Sequence, residues 1–102
     1  AEAVDVARQV NRKPIRVIAD FYHMVEENEP QVHLERYKDW IVHVHVADTG
    51  RRAPGTGQYP YQSFAEHLRR ISYTGMVSIE CGWQDFPAEI GPSVEFLRRV
   101  LA

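Results

Sequence analysis

The sequence is most telling first in what it lacks. Of its 102 residues only one is cysteine, Cys81, which excludes an internal disulfide framework and fits a reducing compartment. Neither charge sign dominates: 12 Lys and Arg against 14 Asp and Glu leave a formal net charge of −2. That argues against nucleic acid as the main partner, because a phosphate backbone needs a basic face. No apolar run approaches the roughly 18 residues of a membrane span, and no charged head followed by an apolar core opens the chain. The expectation is therefore a cytoplasmic protein with neither membrane nor nucleic acid as partner. Low-complexity segments and dividing linkers are missing too. With 44% hydrophobic and 25% charged residues the composition is that of a folded globular domain, and the length allows one domain at most.

What is present is an alternation of two periodicities. Ala3, Val6, Ala7 and Val10 recur at helical spacing in 1–13, with Pro14 after them. Residues 15–21 form a β-branched run that reads as a strand, and 22–31 are polar and read as a loop. Leu34, Tyr37 and Trp40 mark a short helix. Residues 41–47 (IVHVHVA) alternate strictly and are the clearest strand. A Gly- and Pro-rich loop spans 48–60. Tyr61, Phe64, Ala65, Leu68 and Ile71 then make a helical stripe, and Tyr73-Thr74-Gly75 turns the chain. Residues 76–81 read as a third strand. A last helix carries Val94, Leu97, Val100 and Leu101 on one face, with Gly91-Pro92 expected to kink or restart it. The order α-β-α-β-α-β-α implies an α/β fold with a parallel sheet.

Strand parity separates two faces. Val42, Val44 and Val46 oppose Ile41, His43 and His45; Arg16, Ile18 and Asp20 oppose Ile15, Val17 and Ala19; Met76, Ser78 and Glu80 oppose Val77, Ile79 and Cys81. Each mixed face ends, at or near its C-terminal tip, in an ionisable group: Asp20, His45, Glu80. In parallel α/β folds function gathers beyond those tips. Two carboxylates and an imidazole suit a divalent cation with oxygen and nitrogen ligands, Mn, Mg or Co, with Zn also admitted. A polar network of hydrogen bonds and ion pairs explains the same pattern, and parity leaves both open.

The stretches Asp20-Phe21-Tyr22-His23-Met24, His43-Val44-His45-Val46-Ala47-Asp48-Thr49-Gly50-Arg51, Pro54-Gly55-Thr56-Gly57 and Ser78-Ile79-Glu80-Cys81 together resemble the sugar phosphate isomerase/epimerase family. These are xylose isomerase-like TIM barrels that include ketose 3-epimerases and hydroxypyruvate isomerases and are related to type IV apurinic endonucleases. The resemblance covers nearly the whole chain. It implies that residues 1–102 are a single partial domain, the C-terminal half of a (βα)8 barrel. It implies one divalent metal ion held by Asp20, His45 and Glu80, with a further family Glu on a strand that would precede residue 1. His23 and Arg51 match the substrate-contacting positions, and Glu80 would also carry the proton, as the catalytic residue. His43 is expected to support the ligands rather than to join them.

The implied activity is that of a metal-dependent sugar or sugar-phosphate isomerase or epimerase, moving a proton next to a carbonyl through a metal-stabilised enediolate. The alternative is an inactive barrel fragment serving as an interaction or assembly module. An abasic-site endonuclease is disfavoured by the charge of −2 and the shortage of ligands. The expected partners are a small-molecule sugar or sugar phosphate and either the missing N-terminal half-barrel or further copies in a homo-oligomer, since three parallel strands cannot close a barrel. Four positions stay open on the residues alone. Asp20 ligates or caps a turn; Arg51 or Arg52 is the functional arginine; Pro54–Gly57 shapes a substrate mouth or only turns the chain; Trp83 stacks on a sugar or packs. Cys81 is expected to be inert.

Overall fold

A computed structural model describes residues 1–10 and 16–102. Among these residues, three parallel strands lie in the order β1 (Val17–Asp20), β2 (Ile41–Val46), β3 (Val77–Ile79). The register sets Asp20 beside His45 and His45 beside Ser78. A bulge between Val17 and Ile18 advances β2 by one residue against β1. The helices among the described residues are α1 (Glu2–Val10), α2 (Phe21–Glu26), α3 (His33–Arg36), α4 (Tyr61–Arg70) and α5 (Phe86–Leu101). Short 3-10 turns follow at Lys38–Trp40 and Thr49–Arg51.

The core sits between one sheet face and the helices. Ala19, Val44 and Val46 meet Phe21, Met24, Leu34, Phe64, Leu68, Leu97 and Val100 there. Phe21 stacks on Phe64 with centroids 4.2 Å apart, and Tyr61 meets its edge at 4.8 Å. The hydroxyl of Tyr61 donates to the Ala47 carbonyl at 2.8 Å, which ties α4 to the tip of β2. Burial and the nearby Asp48 charge keep that hydroxyl protonated by raising its pKa strongly. Among the described residues the opposite sheet face has no such cover: Ile18 and Met76 remain 54% and 70% exposed.

Several expectations need correction. Residues 22–31 are not all loop, because α2 begins directly at the end of β1. Asp20 caps it by accepting from the His23 N–H at 3.1 Å, and Phe21 and Met24, three apart, bury its inner side. The first strand is shorter than 15–21. Phe21 belongs to α2, and Arg16 precedes the strand with its guanidinium 4.8 Å from the Trp40 ring centroid, so it is not a member of the polar face. Ile15, Pro14 and residues 11–13 lie outside the described residues. In α1 the buried positions are Val4 and Ala7, whereas Val6 and Val10 face outward. Val42, expected on the packed valine face, is 55% exposed, since it lies in the bulged step at the start of β2. The third strand covers only Val77–Ile79.

The last helix does not restart at Gly91-Pro92; α5 continues as one helix through Pro92. Proline removes one helical donor, but Ala88 and Pro92 are both exposed, so the carbonyl left without that donor lies on the water side. Asp85 caps the helix through the Ala88 N–H, and Glu89 reaches back to accept from the Gln84 and Asp85 N–H groups, each at 2.8 Å. That is a reciprocal cap of the kind that fixes helix starts.

Candidate metal centre

Asp20, His45 and Glu80 come from three consecutive strand tips and converge. One ligand atom from each lies within 4.8 Å of the others. His45 Nδ1 is 2.6 Å from Glu80 Oε2 and 3.8 Å from Asp20 Oδ2. Strand register explains the Asp20–His45 approach, since the two are direct neighbours. Glu80 stands one residue beyond β3, yet its N–H still donates to the Val46 carbonyl at 3.0 Å, which holds it at the top of the ladder.

The oxygens of Asp20 divide their work. Oδ1 caps α2, and Oδ2 faces the imidazole. Capping and membership of the cluster are therefore not alternatives. His43 sits one layer below, its ring 4.9 Å from that of His45 and edge-on to it, with Nε2 2.9 Å from Ser78 Oγ. It touches the His45 ring without adding a donor to the cluster.

Of the two arginines, Arg51 is the one at the site. Its Nη2 lies 3.4 Å from Glu80 Oε1 and its guanidinium 5.2 Å from the Tyr22 ring centroid, while Arg52 is exposed. His23 is exposed one turn into α2, its ring edge-on to Tyr22 at 5.3 Å. It shares with Asp20 and Ile18 the lining of an open cleft along the free edge of β1. That cleft is a groove beside the strand rather than a closed binding pocket.

The loop after β2 is organised by a residue of the quoted motif to which the sequence assigned no role. Asp48 is 1% exposed. Its Oδ1 accepts from the Thr49 N–H, the Thr49 hydroxyl and the Tyr59 N–H, and Oδ2 from the Gly55 N–H at 2.9 Å. Sequence offers one clue, an aspartate just past a strand and ahead of a Gly-rich run, the chemistry of a loop anchor. Pro54–Gly57 docks on α5. Ser93 donates to the Pro54 carbonyl at 3.0 Å, and Gly55 (φ 93°) approaches Phe96 so closely that a Cβ would stand 2.9 Å from its ring carbon. Trp83 packs edge-on to Phe86 at 5.1 Å. Burial, with the Glu89 charge adding to it, pushes the Cys81 thiol up, away from the thiolate a nucleophile needs.

Do these donors suit a cation? An ion bound at about 2.1 Å from each donor keeps neighbouring donors about 3 Å apart in an octahedron. The observed separations of 2.6 and 3.8 Å bracket that value. Two carboxylates and a neutral imidazole balance a divalent charge. Asp20 and His45 are shielded, with side chains 17% and 24% exposed, and Glu80 at 52% leaves one side open. The residues fit a hard or borderline divalent ion with room for further ligands.

Residues 1–100 match the family described as xylose isomerase-like TIM barrel. The chain is 39% identical over 69 residues to a 3-dehydro-D-guloside 4-epimerase of Escherichia coli, a match covering 67% of this chain and 26% of that protein. It is 31% identical over 80 residues to a D-psicose 3-epimerase of Ruminiclostridium cellulolyticum, covering 78% of this chain and 27% of the relative. The crystal structure of a 3-keto-D-glucoside 4-epimerase from E. coli superposes with a TM-score of 0.88 at 31% identity, over 96% of this chain and 38% of that one. The chain thus spans about a quarter of the length of the curated relatives it matches.

Proposed function

From the premise that the chain belongs to the xylose isomerase-like TIM barrel family, we propose that it is the C-terminal, metal-binding part of a sugar or sugar-phosphate isomerase or epimerase. The observation that carries this reading is the convergence of Asp20, His45 and Glu80 within 4.8 Å at three adjacent strand tips. Relatives named as sugar epimerases support the substrate class.

Asp20 Oδ2, His45 Nδ1 and a Glu80 oxygen would hold one divalent ion, with Mn, Mg or Co favoured by the donor set. When bound, such an ion supplies Lewis acidity beside a substrate carbonyl. The protein's own groups do the rest. Glu80, exposed on one side, takes a proton from the carbon next to the carbonyl and returns it. Arg51 offers a forked set of donors to substrate oxygens. His23, one helical turn from Asp20 and lining the same cleft, would donate from its imidazole to a second oxygen. Asp48, through the loop it anchors, keeps Arg51 in place: the Arg51 N–H donates to the Asp48 carbonyl at 2.8 Å.

The open sheet face and the share of the relatives covered support a further part of the reading. Strands supplied by an N-terminal half-barrel would cover Ile18 and Met76 and bring additional ligands. The test is calorimetric titration with MnCl2 of the wild type, His45→Ala and Glu80→Gln. A single site is expected in the wild type and at least about tenfold weaker binding in each variant, roughly 1.4 kcal/mol per lost donor at minimum. Equal binding by all three removes the metal site and the reading with it.

A further inference from the structure

Arg51 occupies an uncomfortable backbone position. Its φ is 62°, directly after Gly50 at 68°, in a region where side chains other than glycine are disfavoured. Two backbone bonds hold it there. Its N–H donates to the Asp48 carbonyl, and its carbonyl accepts from the Gly82 N–H, each at 2.8 Å. The resulting conformation sends the side chain back across the strand tips, over the Tyr22 ring and on to Glu80 Oε1. The Arg51–Glu80 contact is long at 3.4 Å, between side chains 42% and 52% exposed. A pair so solvated does little to fix two flexible side chains by itself.

Tyr22 supplies what the pair lacks. It follows Phe21 in the first turn of α2, a helix start fixed by the Asp20 cap. Its ring is flanked by those of His23 and Tyr59, at 5.3 and 6.1 Å. The face of such a ring attracts a guanidinium and narrows its orientations. Glu80 is then gripped at both ends, Oε1 by Arg51 and Oε2 by His45.

We propose that Tyr22 is a positioning residue: its ring seats the Arg51 guanidinium, which in turn orients the Glu80 carboxylate so that Oε2 points into the Asp20–His45 cluster. This rests on the metal-dependent isomerase reading above. It assigns to Arg51, besides substrate contact, the task of dividing the two Glu80 oxygens. The ring, not the phenol hydroxyl, is the working part.

The experiment is a double-mutant cycle in the full polypeptide that carries these residues, loaded with Mn and assayed for interconversion of a ketose with its epimer. Tyr22→Phe should stay within about twofold of wild type, and Tyr22→Leu should lower kcat about tenfold with KM shifted less than about threefold. In an Arg51→Ala background, Tyr22→Leu should add less than about twofold, because the two residues act in series. Full additivity overturns the proposal, since a merely structural tyrosine would weaken both backgrounds alike. A second readout is independent of turnover. The Arg51 Nε–H resonance should be displaced by the ring current in wild type and Tyr22→Phe and revert in Tyr22→Leu. In that variant the Glu80 carboxyl carbon signal should move as it does in Arg51→Ala. If either signal is indifferent to Tyr22→Leu, the proposal falls whatever the activity. A wild type that neither binds Mn nor turns over any ketose sinks the isomerase reading instead, and the resonances still decide whether Tyr22 seats Arg51.

Discussion

Asp48 is the residue on which the loop over the sheet depends. Its carboxylate is buried and satisfies three backbone N–H groups and one hydroxyl. A carboxamide of the same shape can accept at only one of its two ends. Asp48→Asn should therefore leave donors facing each other and lower stability by about 2 kcal/mol, read as a shift in urea midpoint. It should also raise proteolytic cleavage within 49–58. An unchanged midpoint would mean that those donors find other partners. Gly57 makes the same point from the other side, since a Cβ there would overlap the Asp48 carboxylate and the Thr49 side chain. At this scale the sequence was informative where residues carry chemistry: Asp20, His45 and Glu80 were legible through strand parity. It was silent on Tyr22, which fell in a stretch read as loop and whose partner Arg51 stands far along the chain.

At the scale of elements, α3 is a four-residue helix, too short to hold its shape by backbone bonds alone. It is fastened to α4. Glu35 Oε2 lies 2.5 Å from His67 Nδ1 and 3.5 Å from Arg70 Nη1, and Gln31, just before α3, takes a hydrogen bond from Ser63. The His67 hydrogen bond, with help from the Arg70 charge and against some desolvation, holds the Glu35 carboxyl below its ordinary value of 4.5. A carboxyl lowered on folding contributes stability fully above that ordinary value and loses it as pH falls through the folded value. Glu35→Gln should therefore reduce stability at neutral pH and flatten the decline that sets in as pH falls below that ordinary value. Thermal melts at stepped pH would show it; parallel curves for both proteins would exclude the clasp. The helix α2 illustrates what pattern reading misses at this scale. Six residues give too little periodicity, and the polar stretch behind them masked the Asp20 cap and the Phe21–Met24 spacing that announce it.

At the largest scale, the decisive feature is that, among the described residues, the sheet is covered on one face only. Ile18 and Met76 lie on the open face, more than half exposed, and burying such a side chain stabilises by roughly 1.5–3 kcal/mol. If an N-terminal half-barrel closes over them, Ile18→Ser and Met76→Ser should scarcely change the urea midpoint of this chain alone. In the closed protein they should each cost about 2 kcal/mol. Loss of stability in the isolated chain, or none in the longer protein, would speak against that closure. A dye that fluoresces on apolar surfaces should bind the isolated chain and be displaced when the complementary half is added.

The sequence by itself determined the alternation of strands with helices apart from α2, the two faces of the strands apart from Arg16 and Val42, and the identity of the three ionisable tips. Those depend on local periodicity, which a chain carries in every ten residues. Tertiary structure alone decided that the tips meet within 4.8 Å and that Arg51 rather than Arg52 reaches Glu80. It also decided that Pro54–Gly57 belongs to the packing against α5. Each of these follows from strand register and from loop backbones held by distant partners, such as Gly82 for Arg51 and Ser93 for Pro54. Contacts between residues so far apart in the chain leave no local periodicity to read.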